Sequence, residues 1–314
     1  YPRPPRSKRG LIKRFLRGWH SWIHVLFDKS YTMKMGEIRT PGRTMYIANE
    51  LTLVDQILRG GTAYPKHSEL VRNLDPLIGN SVFSANGTDW ESQRAMVNPA
   101  FAHTALGRSM PLMVAAADDL LARIDAADAA KPVDIDPMMT HVAADIIFRT
   151  LFSQTLDAER SNIIHTAFGK FQRLAHSASM LRLYGLPASW FEKRSRKPAG
   201  AIHDVFRPIV EARYEAYHAR GETGQRDILQ SLIEVKHPET GDHFTCQQVM
   251  EQVSTIFLAG HETSASTMTW ALYMLAECTH IQDRVRAEVA AIAGEAPLTG
   301  AMLKDMGQVR NIFK

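Results

Sequence analysis

The sequence predicts a mainly α-helical protein with one small β-sheet near its N-terminus. Three observations predict it. Apolar residues recur at helical spacing from about residue 49 onward. The only convincing strand material is two short runs, 32–38 and 43–48, separated by Thr40-Pro41-Gly42, a turn signal. One segment, from Thr245 to about Cys278, carries apolar residues on most sides and no breaker except Gly260.

Taken in order, residues 1–9 are Pro-rich and basic, the composition of a disordered arm. Residues 11–27 mix Leu, Ile, Phe and Trp with Lys, Arg and His and read as one amphipathic helix. The hairpin follows. Asn49 is placed to cap a helix that Gly60-Gly61 ends, and 62–86 read as loop. Helices are expected at about 88–98, 105–129, 136–153, 157–177, 200–219 and 226–235. Lys131-Pro132, Leu186-Pro187, Lys197-Pro198 and His237-Pro238 mark the breaks. The long helix opens with Thr245 and Gln248 in a capping-box pattern. Its length of over 30 residues is about 50 Å at the helical rise. Such a helix belongs in the middle of a large helical protein. Further helix is expected at 281–293 and from about Thr299.

The chain has 314 residues, 45% hydrophobic and 22% charged, enough apolar mass for a large core. Net charge is +4, but residues 1–18 hold Arg3, Arg6, Lys8, Arg9, Lys13, Arg14 and Arg17 with no acid, so the rest carries −3. The basic start reads as a solvated leader that leaves room for peripheral membrane contact; no nucleic-acid partner is expected. Two cysteines, Cys246 and Cys278, make neither a disulfide framework nor a zinc cluster, and a reducing cytoplasm is the expected compartment. No apolar run approaches the roughly 20 residues that span a bilayer. No phosphate-binding, dinucleotide-binding or nucleophile-elbow motif occurs. His261-Glu262 lacks the second histidine of a zinc protease, because position 265 is Ala.

The chemistry concentrates at Ala259-Gly260-His261-Glu262-Thr263-Ser264, in the middle of the long helix. A helix-interior Gly costs about 1 kcal/mol relative to Ala, and a carboxylate is expensive to bury. A core helix that violates its own logic marks a candidate functional site. Ala259 and Gly260 leave a notch for a flat ligand and favour a local bulge. Thr263 lies four residues past Ala259 and three past Gly260, so it shares their face. Glu262 is turned about 100° away, towards a supply of protons. The bland alternatives are that Gly260 permits close helix packing and that Thr263 bonds back to the carbonyl of Ala259.

Ala259-Gly260-x-Glu262-Thr263 resembles the oxygen-activating motif of cytochromes P450. Trp90-Glu91-Ser92-Gln93-Arg94 resembles the family's W-x-x-x-R motif, and Asn98-Pro99-Ala100-Phe101 continues in the same manner. The segments 282–289 and 303–312 resemble the stretches that follow the oxygen-site helix. The resemblance covers nearly everything from about residue 30 to the end, with the motifs in the family's order. It implies a cytochrome P450 fold and one haem b. Residues 1–28 would be a basic arm with its amphipathic helix, and 29–314 a C-terminally incomplete P450 domain. Ala259 and Gly260 would form the oxygen notch, and Thr263 and Glu262 would handle the protons of dioxygen cleavage. Trp90 and Arg94 would anchor the haem propionates, with Thr263 also facing the cofactor.

The implied activity is insertion of one oxygen atom from O2 into an apolar organic substrate. Electrons would come from a ferredoxin- or flavodoxin-type donor. Phe171, Leu174, Met180, Leu181, Leu183, Tyr184 and Leu186 suggest an apolar substrate. The E-x-x-R pair and the Gly-rich loop with the axial cysteine do not occur before Lys314. No metal ligand is therefore assigned, neither Cys246 nor Cys278 fits that role, and the chain by itself is expected to be inactive. Two other readings remain open: a remnant or helical binding protein without haem, and a peroxide-driven hydroxylase or isomerase of the same fold. The intact Glu262-Thr263 pair argues against the last.

Overall fold

Fourteen helices and a two-stranded sheet make up the computed structural model, which describes residues 5–7, 10–127, 131–221, 224 and 226–313. The helices are α1 (Leu11–Gly18), α2 (Lys29–Thr32), α3 (Leu51–Arg59), α4 (Ser68–Ile78), α5 (Gly87–Val97), α6 (His103–Asp125) and α7 (Ile135–Phe152). Then come α8 (Ala158–Leu183), α9 (Ser189–Arg220), α10 (Ile228–Glu234), α11 (Cys246–Glu277), α12 (Thr279–Ile292), α13 (Gly300–Asp305) and α14 (Gly307–Ile312). Strands β1 (Met35–Arg39) and β2 (Thr44–Ala48) pair antiparallel, with Met35 opposite Ala48 and Arg39 opposite Thr44. The mainly helical fold with one small sheet is the architecture the sequence predicts.

Several local expectations are corrected. The predicted helix over 11–27 is two pieces, α1 and a 3-10 turn at Trp22–Val25. They fold back on each other because Gly18 meets Val25 and Met180: a Cβ at position 18 would stand 2.7 Å from both. Arg14, counted in the basic start, is buried and donates to the carbonyl of Arg39, so it is not a solvated charge. Arg3, Lys8 and Arg9 lie outside the described residues. Asn49 does not cap α3; its amide donates to the carbonyls of Ser30 and Met33 at 2.8 and 2.9 Å. Within the expected loop 62–86 lies α4, capped by the His67 ring, which accepts from the amide of Glu69 at 3.1 Å.

The break expected at Lys197-Pro198 is absent, and α9 runs 32 residues straight through it. Proline costs an isolated helix about 3 kcal/mol or more. Here Ser195, Ala199, Ile202 and Phe206 are all buried on one side of α9, and burial worth about 1.5–3 kcal/mol per large apolar side chain offsets that cost.

The chain divides into two compact units, one of residues 1–93 and 163–205, the other of 94–162 and 206–314. In the first, α1 lies on the end of α8 and the start of α9. Phe15 meets Tyr184 edge-on at 4.8 Å between ring centres, and Trp19 meets Phe191 at 6.1 Å. Beneath them Arg182 bonds Glu69, Asn73 and Glu192.

In the second unit α7 packs along α11. Phe148, Phe152, Phe206 and Phe257 form a chain of buried rings, with centres 4.7 Å apart for Phe148–Phe152, 5.6 Å for Phe152–Phe206 and 5.0 Å for Phe206–Phe257. The capping box of α11 forms as predicted: Thr245 accepts from the amide of Gln248 at 3.3 Å, and Gln248 Oε1 accepts from the amide of Thr245 at 2.9 Å. Only the first half of α11 is buried on most sides. Further on, Trp270 and Tyr273 are 57% and 53% exposed among the described residues.

Candidate active site on the long helix

The centre of α11 stays α-helical throughout, so the bulge expected at Gly260 is absent. Gly260 turns its missing side chain to α7. A Cβ there would press on the Cδ1 of Ile147 and stand 2.8 Å from its Cγ1. The glycine therefore permits close approach of the two helices, the packing role open to it from sequence. Gly260→Ala is expected to destabilise the protein by about 1–2 kcal/mol despite the better helix propensity of Ala. Adding Ile147→Val, which removes the Cδ1 methyl, should recover much of that loss in a denaturant-based double-mutant cycle. A gain in stability for Gly260→Ala alone would show that the contact is soft.

Ala259 and Thr263 point outward together. The Thr263 hydroxyl donates to the carbonyl of Ala259 at 2.6 Å, and Thr267 repeats the pattern onto Thr263 at 2.7 Å. With its proton committed along the helix, the Thr263 oxygen has lone pairs to offer outward, as an acceptor. An open groove of about 410 Å³ runs beside it, walled by Ala143, Ile146 and Ile147 of α7 and by Gly260, Thr263 and Thr267 of α11. Glu262 is half-buried, one step round the helix. His261 faces the other way into the core, 1% exposed, with its ring stacked on Phe257 at 5.4 Å.

Trp90 and Arg94 sit one turn apart on α5, and both reach solvent, Trp90 at 38% exposure. Gln93 between them turns inward and donates to the carbonyl of Asn80 and to Asp89, at 3.2 Å each. That inward anchor sets the outward direction of its neighbours. No hydrogen bond or ion pair among the described residues engages Arg94. Sequence reasoning missed Lys66, whose ammonium lies 5.5 Å from the centre of the Trp90 ring and donates to the carbonyls of Val82 and Ala85 at 3.1 and 2.8 Å. Burial pushes its pKa down. Only the fold brings it to Trp90, and nothing in the spacing announces it.

The two cysteines are unpaired and half-buried. Burial, then the nearby Glu211 carboxylate, pushes the Cys246 thiol up, away from the thiolate a metal would need. Of the apolar run 171–186, Phe171, Met180, Leu183 and Tyr184 are buried, and the last three pack with Phe15, Trp19 and Met45, while Leu186 is exposed.

A family model for cytochrome P450 matches residues 15–314. The chain belongs to the cytochrome P450 family. Cytochrome P450 714D1 of Oryza sativa is 33% identical over 251 residues, 73% of this chain and 42% of that protein. Cyclooctat-9-en-7-ol 5-monooxygenase of Streptomyces melanosporofaciens is 27% identical over 267 residues, 83% of this chain and 56% of its own length. The crystal structure of the cytochrome P450DA heme domain superposes with a TM-score of 0.76 at 18% identity, covering 99% of this chain and 68% of that one. The fold is thus that of a P450 haem domain, and the chain spans about half the length of the curated relatives it matches.

P450 membership implies a haem cofactor. The described surface fits such a group. Ala259 and Thr263 form a small-residue face that a flat ring can approach, and Arg94 is an outward cation without a partner among the described residues. Gly260 lines the groove beside that face and also packs against Ile147 of α7.

Proposed function

We propose that the whole protein is a haem-dependent monooxygenase that inserts one oxygen atom from O2 into an apolar organic substrate. Its electrons would come from a ferredoxin- or flavodoxin-type donor, and its place would be the cytoplasm, where unpaired cysteines such as Cys246 and Cys278 persist. Among the described residues no helix is long and apolar enough to cross a membrane. The observation that carries the reading is the outward face of α11, where the Thr263 hydroxyl stands on a small-residue surface beside an apolar groove.

When bound, haem supplies the oxygen chemistry, which a thiolate ligand favours by pushing electron density toward O–O cleavage. The chain's own part is binding, orientation and proton supply. The indole N–H of Trp90 and the guanidinium of Arg94, one helical turn apart on α5, would hold the carboxylates of that group. Thr263 accepts a hydrogen bond at its oxygen while its own proton stays on the Ala259 carbonyl. Glu262, half-buried, passes protons between solvent and that face. Ile146, Ile147 and Ala143 give the groove an apolar wall against which an apolar substrate would lie.

The test is made on the full-length protein. Haem incorporation, followed by O2 uptake with a ferredoxin system and cyclooctat-9-en-7-ol as the first substrate, should give a hydroxylated product. A protein that folds without taking up haem would overturn the reading in favour of a binding protein. Turnover with peroxide but not with O2 and electrons would favour the peroxide-driven alternative. Arg94→Ala should loosen the cofactor and raise its rate of loss to apomyoglobin by about tenfold, the scale of one charge-assisted contact. An unchanged rate would remove Arg94 from the propionate role.

A further inference from the structure

On α8 and α9 the same pattern appears twice. Lys170, Arg173 and Leu174 stand at i, i+3 and i+4 on one helix, and Arg194, Lys197 and Pro198 stand at i, i+3 and i+4 on the other. That spacing puts each trio on one helix face, and the two faces wall an open groove of about 530 Å³. All four cations are exposed, no acid lines the groove, and among the described residues none of the four takes part in an ion pair. Arg194 is also held in place, with its guanidinium 4.6 Å over the ring of Trp190.

Four like charges round one groove repel each other, so stability alone does not favour them. Their shared field attracts an anion. Two arginine forks suit a phosphate or carboxylate, which they bind bidentately. Leu174 and Pro198 give the groove an apolar side, and its size lies in the range of small-molecule sites.

We propose that this groove binds an anionic amphiphile, with Arg173 and Arg194 on its phosphate or carboxylate head and its apolar body against Leu174 and Pro198. The site is built from α8 and α9 alone and stands or falls independently of the haem reading.

The experiment is calorimetric titration of the full-length protein with three probes: monomeric dihexanoylphosphatidic acid, inorganic phosphate, and phosphatidylcholine vesicles containing phosphatidic acid. The expected result is saturable 1:1 binding of the monomeric lipid, about tenfold or more tighter than inorganic phosphate. Arg173→Gln with Arg194→Gln should weaken it by about tenfold or more, and Lys170→Gln with Lys197→Gln by less, because lysine lacks the fork. Leu174→Ala should weaken the lipid but not phosphate. All these side chains reach solvent or the groove wall, and circular dichroism checks that the variants fold. Equal binding by the double arginine variant overturns the site. Phosphate as tight as the lipid overturns the amphiphile assignment. Binding to vesicles alone overturns the groove in favour of surface adsorption.

Discussion

Thr263→Ala in the full-length, haem-loaded protein is expected to lower product formed per O2 consumed by about a hundredfold, the lower end of what a positioned proton-handling group contributes. The missing electrons should appear as hydrogen peroxide. The argument rests on where the hydroxyl sits. Thr263 is exposed on α11, so losing its side chain removes little burial and should leave folding nearly intact. Its proton is committed to the Ala259 carbonyl at 2.6 Å, so what alanine removes from the groove is an acceptor oxygen in a fixed place. Thr263→Ser keeps that oxygen and should keep most of the coupling. Thr263→Val keeps the shape without the oxygen and should behave like alanine. Substrate affinity should change little in all three, because the methyl-bearing face of the groove is supplied by α7. Measured coupling that is equal in threonine, valine and alanine forms would sink the role.

Asp227→Ala is expected to destabilise the protein by about 3–5 kcal/mol, the cost of leaving one member of a buried pair without the other. Asp227 and Arg213 keep only 2% and 8% of their side-chain surface in solvent. Both carboxylate oxygens of Asp227 accept from Arg213 Nη1 at 3.0 Å. One also caps α10 by accepting from the amide of Gln230 at 2.9 Å, and the other accepts from the Ser153 hydroxyl at 2.9 Å. Among the described residues, alanine would leave the guanidinium with only the Phe152 carbonyl at 3.3 Å. Asp227→Asn keeps the cap and loses the charge, so it should cost clearly less than alanine. Urea unfolding of the two variants decides this. A loss below about 1 kcal/mol for alanine would mean that water reaches Arg213 and replaces the carboxylate.

The centre of the candidate site could be read from sequence because its parts are near neighbours in the chain. Ala259, Gly260, Glu262 and Thr263 span five positions, and Trp90 and Arg94 span five more. Helical geometry alone then says which of them share a face. What each side chain does there could not be read so far. For Gly260 a notch and a packing contact were both open, and the packing contact is made with Ile147, more than a hundred residues away. For Thr263 a bond back to the carbonyl of Ala259 was one of the readings open, and the uninterrupted helix makes that bond. Lys66 beside Trp90 carried no local signal at all.

The same division runs through the fold. By itself the sequence determined the helical class, the β1–β2 hairpin with its Pro-Gly turn, the capping box of α11 and the order of the motifs. Each depends on contacts within about four residues or across one tight turn, so local propensity suffices. Tertiary structure decided the rest: the passage of α9 through Pro198, the helix α4 in a stretch that reads as loop and the inward turn of Arg14. In each case a modest local preference of a few kcal/mol is outweighed, or left without an answer, by burial against residues distant in sequence. An apolar face on α11 states only that a partner is needed; α7 supplies it along the middle of that helix, from Ile147 at Gly260 to the Met139 and Val142 cluster at Met268.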